Sequence, residues 1–168
     1  MMNIFEFAMD KEKYSELYYR DLAERTKNSG LRNILTMLAD EEAKHYCTVE
    51  QMKAGTPKDL ANTPVLANAK KVFEKMRKTV TEKFDFHISE ADLYGKAVKI
   101  EEESKRFYQK KAKEAKDLAQ KKILEQLAQE EDKHMVLMEN LRSFVSRPET
   151  YLEDAEFSHF DDYVDGEF

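Results

Sequence analysis

Residues 40–45 of this sequence read DEEAKH, and 89 positions later residues 129–134 read QEEDKH. The same shift places Tyr19 on Tyr108 without a gap. The other matched pairs are Glu12 and Glu101, Ser15 and Ser104, Leu35 and Leu124, and Leu38 and Leu127. Because the matches include charged, aromatic and apolar residues, a shared helical composition does not explain them. The repeat predicts two helix hairpins that are joined by a crossover into an all-α, pseudo-two-fold four-helix bundle.

The composition of the 168 residues favours long helices over sheets, because only 4 Gly and 3 Pro occur. The single cysteine, Cys47, excludes a disulfide framework and a four-cysteine metal site. The net charge is −6, and eight acidic residues follow Arg147 with no lysine or arginine among them. Without a basic cluster we expect no nucleic-acid partner, and without an apolar run of about 20 residues we expect no membrane partner. The N-terminus lacks a signal-peptide pattern, so we expect a cytoplasmic protein.

The positions of capping and helix-breaking residues predict where the helices begin and end. We expect helices over about 3–27, from 29 to Gly55, from Ser89, and from Asp117 to about 147, with Ser89 opening a capping box and Asp117 capping the last helix. A helical crossover is expected at about 56–88. The bundle domain is therefore 1–147, and 148–168 is an acidic, aromatic C-terminal tail.

Polar residues interrupt the apolar stripe of every long helix. Six of them stand where a bundle normally places leucine or alanine: Glu12, Glu42, His45, Glu101, Glu131 and His134. Four carboxylates in an apolar core would repel one another, and two histidines cannot neutralise them. Two divalent metal ions would balance the four charges, and residues three apart on a helix can share one ion. One glutamate from each of two helices, with a Glu-x-x-His pair from each of the other two, is the ligand set of di-iron carboxylate bundles.

Over about residues 3–145 the chain resembles the rubrerythrin branch of the ferritin-like superfamily. The motifs are EKYSELYY (12–19), DEEAKH (40–45), EEESKRFY (101–108) and QEEDKH (129–134). The resemblance implies two iron ions held by the six residues above, although manganese or zinc accept the same ligands. It also implies that Tyr19 and Tyr108 hydrogen-bond to ligand glutamates and orient them.

The resemblance implies a non-haem di-iron oxidoreductase that reduces hydrogen peroxide or dioxygen. Rubrerythrins proper carry a four-cysteine iron domain that this sequence lacks, so we expect an external electron donor, rubredoxin-like or other. The family's usual site also has a glutamate three residues after its third-helix ligand, linked to movement of one iron during redox cycling, and Ser104 stands there. We expect a homodimer or another homo-oligomer.

Other interpretations stay open at this point. The six residues could form a satisfied polar core without metal, or the metal could serve iron buffering, ferroxidase activity, carbon hydroxylation, redox sensing or structural stapling. The chain could also be an interaction bundle. We interpret Cys47 as an inert buried hydrophobe, and His87 and His159 as structural or exposed residues. The tail aromatics Tyr151, Phe157, Phe160 and Tyr163 favour docking of the tail over disorder.

Overall fold

The computed structural model describes residues 3–78, 84, 86 and 89–153. Within these residues the chain forms six helices and no strand, so the predicted all-α class is confirmed. The helices are α1 (Ile4–Arg25), α2 (Ser29–Lys53), α3 (Val65–Lys78), α4 (Glu90–Glu114), α5 (Leu118–Ser146) and α6 (Pro148–Glu153).

The four long helices pair as two hairpins, α1 with α2 and α4 with α5. Each hairpin has a short connection, and short connections make sequential helices antiparallel neighbours. The second helix of each hairpin starts at a side-chain cap. Asn28 accepts from the Leu31 backbone N–H at 2.8 Å, and Asp117 accepts from the Ala119 and Gln120 N–H groups. The predicted cap at Asp117 is confirmed.

Helix α2 ends at Lys53, and Gly55, the expected stop signal, follows two residues later. Gly55 has φ of 77°, a left-handed conformation that costs glycine little. Its N–H donates to the Met52 carbonyl at 3.2 Å, and the Thr56 N–H donates to the Gln51 carbonyl at 2.9 Å. This pair of bonds satisfies the last carbonyls of the helix and sends the chain into the crossover.

The crossover contains α3, which packs against α2, α5 and α6. Phe73 of α3 is fully buried, and its ring lies 5.5 Å from that of Phe144 and 5.0 Å from that of Tyr151, measured between centroids. The Tyr151 hydroxyl donates to Asn140 at 2.9 Å. The start of the C-terminal segment therefore docks on the bundle, while the division of the chain at residue 147 stays a prediction.

Two sequence-based expectations are wrong. Ser89 makes no side-chain cap bond, because it adopts a helical conformation (φ −76°, ψ −12°) instead of the extended one that capping requires. Cys47 is exposed, because it lies two residues after His45 on α2 and so faces away from the core. His87, His159, Phe157, Phe160 and Tyr163 lie outside the described residues.

The core consists of two apolar clusters with a polar layer between them. One contains Leu38, Phe73 and Phe144, and the other contains Leu124 and Leu127. The six interrupting residues of the apolar stripes lie between these clusters along all four long helices, so apolar side chains close the polar layer at both ends. No helix of the described part is long and apolar enough to cross a bilayer.

Candidate metal centre

The structure brings all six predicted residues together at the centre of the bundle. Helices α1 and α4 each supply one glutamate, and α2 and α5 each supply a glutamate and a histidine one turn apart. None is more than 2% exposed: Glu12, Glu42, His45, Glu101, Glu131 and His134. Their helical spacing directs all of them inward, because each occupies a core position of its helix.

The shortest contacts of the two histidines cross between the two repeats. His45 Nδ1 lies 3.0 Å from Glu131 Oε1, and His134 Nδ1 lies 2.8 Å from Glu42 Oε1. His45 Nδ1 is also 3.6 Å from Glu12 Oε2, and His134 Nδ1 is 3.7 Å from Glu101 Oε1. The Nδ1 atom of each imidazole therefore faces the carboxylates.

The donor set fits metal ions. Glu42, His45, Glu131 and His134 each offer a ligand atom, and these four atoms lie within 4.8 Å of one another. In the described part of the chain, the Oε2 atoms of Glu12, Glu42 and Glu101 are buried without a hydrogen-bond donor. Buried carboxylate oxygens without a donor are costly, and a cation is the partner that satisfies several at once. Four carboxylates and two imidazoles match the charge and ligand types of two divalent ions.

Two buried tyrosines hold the single carboxylates of α1 and α4. The Tyr108 hydroxyl donates to Glu12 Oε1 at 2.5 Å, and the Tyr19 hydroxyl donates to Glu101 Oε1. Each tyrosine thus restrains the glutamate of the other repeat. Burial raises the pKa of both phenols well above the usual range, and the charges of Glu101 on Tyr19 and of Glu12 on Tyr108 raise it further. Both therefore stay neutral donors at ordinary pH.

The four carboxyl groups divide into two ionised and two protonated groups when only protons compensate them. Burial alone raises the pKa of Glu12, but Glu42, His45 and Tyr108 stabilise its charged form and bring its pKa to about 2. Burial likewise opposes ionisation of Glu101, yet Glu131, His134 and Tyr19 bring its pKa to about 2.

The pKa values of Glu42 and Glu131 shift in the opposite direction. Burial raises the pKa of each well above its usual range, and the charges of Glu101 and Glu12 raise it further. These two groups therefore hold a proton at pH values where an exposed glutamate is ionised.

The histidines supply the compensating positive charge. Burial lowers the pKa of His45, but Glu12, Glu131 and Glu42 outweigh burial and raise it well above its usual range. The neighbouring Glu101 and Glu131 raise the pKa of His134 in the same way, against burial and the charge of His45. When both histidines are protonated, two carboxylates and two imidazolium ions cancel, so protons can make the centre neutral without metal.

Sequence reasoning did not identify three buried charged residues that directly precede site residues of α2 and α5 in the sequence. Glu41, Glu130 and Lys133 are at most 6% exposed. Glu130 Oε1 accepts from Lys133 at 3.1 Å, and its Oε2 accepts from the Thr63 hydroxyl at 2.5 Å. The repeat contained the signal, because Glu41 and Glu130 precede equivalent ligands at the same offset.

A groove of about 320 Å³ lies between α1 and α4. Ser15 and Ser104 are part of its lining, and each lies one turn after a site glutamate, Glu12 or Glu101. Both serines are nearly buried, at 3% and 4% exposed.

A comparison with protein families gives one match. The family model described as Rubrerythrin matches residues 3–142, which is well over half of the chain. No curated protein matches the chain, and no solved structure matches it. The matched range contains all four long helices up to the last turn of α5 and every residue of the centre.

Proposed function

This chain belongs to the rubrerythrin family, and on that premise we propose that it is a non-haem di-iron oxidoreductase that reduces hydrogen peroxide or dioxygen. The observation that supports the proposal is the buried centre of four carboxylates and two imidazoles, in which the Oε2 atoms of Glu12, Glu42 and Glu101 have no donor. A centre of this kind has no structural role that an apolar core would not fill more cheaply.

We assign the metal ligands as Glu12, Glu42, His45, Glu101, Glu131 and His134. Glu12 and Glu101 carry the two charges that persist at low pH, while the other four groups must release protons when ions bind. Bound iron would supply the electrons for reduction of the substrate. Reduction of one hydrogen peroxide to two waters consumes two electrons and two protons.

The protein's own contribution is orientation and exclusion of water. The Tyr19 hydroxyl orients the carboxylate of Glu101, and the Tyr108 hydroxyl orients that of Glu12. Each tyrosine therefore acts on the glutamate of the other repeat. The apolar clusters at both ends of the centre keep bulk water away. The groove beside Ser15 and Ser104 is the proposed approach for a small oxidant, because these two lining residues lie one turn after Glu12 and Glu101.

The 168 residues contain one cysteine, so they hold no four-cysteine iron site that could relay electrons to the centre. We therefore propose an external donor, a rubredoxin-like protein or a small reductant. The expected homo-oligomer, and the expected absence of nucleic-acid and membrane partners, stay predictions.

The test is rapid mixing of the ferrous-loaded protein, prepared without oxygen, with hydrogen peroxide and separately with dioxygen. We expect sub-second oxidation by at least one of them, followed by a stall until a reductant is added. Faster reaction with peroxide supports a peroxidase, and faster reaction with dioxygen supports an oxidase or ferroxidase. No reaction with either would contradict the proposal.

The matched control is the double variant Glu42→Ala/Glu131→Ala, which removes equivalent residues from both repeats. It should hold fewer than two ions per chain and should not show the rapid oxidation. Two ions per chain in this variant, measured by elemental analysis, would show that the ligand assignment is wrong.

A further inference from the structure

Three tyrosine rings of α1 lead from the surface of the bundle to the centre. The rings of Tyr14 and Tyr18 are stacked with their centroids 6.3 Å apart, and the ring of Tyr18 meets that of Tyr19 edge to face at 6.2 Å. Tyr14 is 52% exposed, Tyr18 is partly buried, and Tyr19 is completely buried. The hydroxyl of Tyr19 donates to Glu101, one of the six residues of the centre. We call Tyr14, Tyr18 and Tyr19 the tyrosine line.

A second line of rings starts from Tyr108, the repeat equivalent of Tyr19. The ring of Tyr108 lies 5.4 Å from that of Phe107, and the ring of Phe107 lies 5.2 Å from that of Phe7, measured between centroids. Phe7 is 44% exposed. The offset of 89 places Phe107 at the position that Tyr18 has in the first repeat. The second line, which we call the phenylalanine line, therefore also joins the surface to the centre.

The two lines differ in chemistry more than in shape. Phenol and phenyl rings pack alike, but a phenol loses one electron together with its hydroxyl proton, whereas a phenyl ring has no such proton and is much harder to oxidise. Because electron transfer between two rings slows steeply with their separation, rings in contact exchange an electron far faster than rings separated by aliphatic side chains. An electron can therefore pass along the whole tyrosine line, but in the phenylalanine line only Tyr108 can give one.

We propose that the tyrosine line carries single electrons from the surface to the centre, and that Tyr14 is the point at which a small thiol replaces them. The line acts when the iron of the centre supplies only one of the two electrons that hydrogen peroxide requires. The proposal rests on the proposed function, because it needs the centre to reduce peroxide. It adds Tyr14 and Tyr18, which lie outside the centre, to the residues that take part in the reaction.

Electrons and protons balance in each step. Hydrogen peroxide takes two electrons and two protons and leaves as two waters. With one ferrous ion in the centre, iron gives one electron, Tyr19 gives the other together with its hydroxyl proton, and solvent gives the second proton. Tyr18 then returns an electron to Tyr19, and Tyr14 returns one to Tyr18, and each phenol regains a proton as it is reduced. The net product is a phenoxyl radical at Tyr14, which takes one hydrogen atom from a thiol, and two thiyl radicals formed in this way combine to a disulfide.

The surroundings of the rings favour a radical at the two ends of the line. Glu101 accepts the hydrogen bond of Tyr19 and so receives the proton that oxidation releases. Tyr14 is exposed, so solvent receives its proton. At the middle ring, the Lys96 ammonium lies 5.7 Å from the Tyr18 centroid, and a positive charge beside the ring opposes loss of an electron. We therefore expect Tyr18 to pass the electron on instead of keeping the radical.

A purely structural role of Tyr18 is the competing explanation. Its hydroxyl donates to the Leu93 carbonyl of α4 at 2.8 Å, so Tyr18 also ties α1 to the second hairpin. Tyr18→Phe removes both this bond and the oxidisable phenol, while Tyr18→Trp removes the phenol hydroxyl but keeps an oxidisable ring. Recovery of a redox effect in Tyr18→Trp therefore distinguishes electron transfer from packing.

The first test locates the radical. The full chain is loaded without oxygen with one ferrous ion per chain and mixed with one equivalent of hydrogen peroxide. It is then either frozen for electron paramagnetic resonance or treated with a nitroso spin trap for peptide mapping. We expect a tyrosyl radical and a trap adduct on Tyr14. Tyr19→Phe and Tyr18→Phe should lower this adduct about tenfold or more, Tyr18→Trp should restore most of it, and Tyr46→Phe, outside the line, should leave it unchanged.

The phenylalanine line provides the matched gain of function. The double variant Phe7→Tyr/Phe107→Tyr turns it into a second line of phenols, so an adduct should appear at position 7, where the parent has none. Unchanged labelling of Tyr14 in Tyr18→Phe or Tyr19→Phe would overturn the proposal, because the exposed Tyr14 would then be oxidised directly from solution. Absence of a tyrosyl radical in the parent, in protein whose two-ion form is oxidised by peroxide, would overturn it too.

A second measurement does not depend on metal. Tyr19→3-aminotyrosine introduces a phenol that is oxidised more easily than tyrosine and whose radical has its own absorption. In the metal-free variant, azide radicals from pulse radiolysis oxidise the exposed Tyr14, and the aminotyrosyl radical should then form with a rate constant that does not depend on protein concentration. A further Tyr18→Phe change should slow this step about tenfold or more.

The outcomes of this measurement separate the two proposals. An equal rate with and without Tyr18→Phe, or no transfer to the aminotyrosine, would overturn the role of the tyrosine line even if iron reacts with peroxide as proposed. The expected transfer, in a protein whose two-ion form does not react with peroxide, would contradict the proposed function alone.

Discussion

The imidazole rings of His45 and His134 lie nearly parallel, with centroids 5.4 Å apart and 10° between their planes. Both rings have a raised pKa, so in metal-free protein each stays protonated to a higher pH than an exposed histidine, and two imidazolium ions stack on each other when both are protonated. Only the surrounding carboxylates make this arrangement tolerable, because like charges at this separation repel. The centre is therefore prepared to exchange its protons for other cations.

Metal binding should release protons in a defined number. Glu42 and Glu131 each give up one proton, and the two histidines each give up one, so two divalent ions replace up to four protons. Calorimetric titration with ferrous iron near pH 6, in two buffers of different ionisation enthalpy, measures this number. Release of one proton or none would show that bound protons do not balance the carboxylate charges of the metal-free centre as described.

The stability of the metal-free protein should fall as the pH rises above about 4.5. Glu42 and Glu131 have folded-state pKa values above their unfolded values, so the folded protein binds more protons than the unfolded chain in this range. Each extra proton gives a slope of about 1.4 kcal/mol per pH unit. The histidines extend the fall above about pH 6.5, for the same reason.

Below about pH 4.5 the sign reverses. Glu12 and Glu101 have pKa values near 2 in the folded protein, so their contribution is present above the unfolded value and is lost as the pH falls towards about 2. Chemical denaturation of metal-free protein between pH 3 and 8 should show a maximum near pH 4.5–5. A maximum at pH 7 or above would contradict this electrostatic description.

The double variant Glu42→Gln/Glu131→Gln tests the same point by substitution. Glutamine has the shape of a protonated glutamate and needs no proton, so the metal-free variant should be more stable than the metal-free parent at pH 7 by roughly 1–3 kcal/mol. The gain should disappear near pH 4.5. The variant should also fail to bind two ions, which separates the stability of the fold from the function of the centre.

The sequence predicted the six central residues because two independent patterns, the internal repeat and the helical period, select the same positions. Glu42 and His45 replace apolar residues in an otherwise regular stripe, and the offset of 89 reproduces them at Glu131 and His134. Side-chain direction along an ideal helix was enough to bring them together.

What the sequence did not predict depends on the path of the crossover. Glu130 and Lys133 are buried because Asn62 and Thr63 lie over α5, and no periodicity of α5 itself contains that information. Ser89 failed as a cap because a capping box is a local pattern, and the backbone conformation at Ser89 is not extended. Cys47 was expected inside because of its residue type, although its position on α2 faces solvent.

The tyrosine hydrogen bonds should contribute to stability. Tyr108→Phe removes the donor to Glu12 and leaves a buried carboxylate oxygen without it, so we expect a loss of about 1.5–3 kcal/mol in the metal-free protein. Tyr19→Phe should have a similar effect through Glu101. Tyr14→Phe is the control, because Tyr14 is 52% exposed, and it should stay within about 0.5 kcal/mol of the parent. An equal loss of stability in all three variants would show that the buried hydrogen bonds stabilise the protein no more than an exposed hydroxyl does.

The groove between α1 and α4 gives the sharpest test of how an oxidant reaches the centre. Ser15→Leu and Ser104→Leu place a larger apolar side chain on the lining beside Glu12 and Glu101. If small molecules enter there, the second-order rate of oxidation of ferrous-loaded protein should fall about tenfold or more, while the content of two ions per chain stays unchanged.

The control for the groove is Gln109→Leu, in the neighbouring depression between α4 and α5. It adds similar apolar volume to the surface but lies away from the two serines, so the rate should remain that of the parent. Because approach of the oxidant is a bimolecular step, the two serine variants should change the dependence of the rate on oxidant concentration. Their rate under saturating oxidant should change much less, since the ligands themselves are intact. Parent-like second-order rates in both serine variants would mean that the oxidant reaches Glu12 and Glu101 by another path.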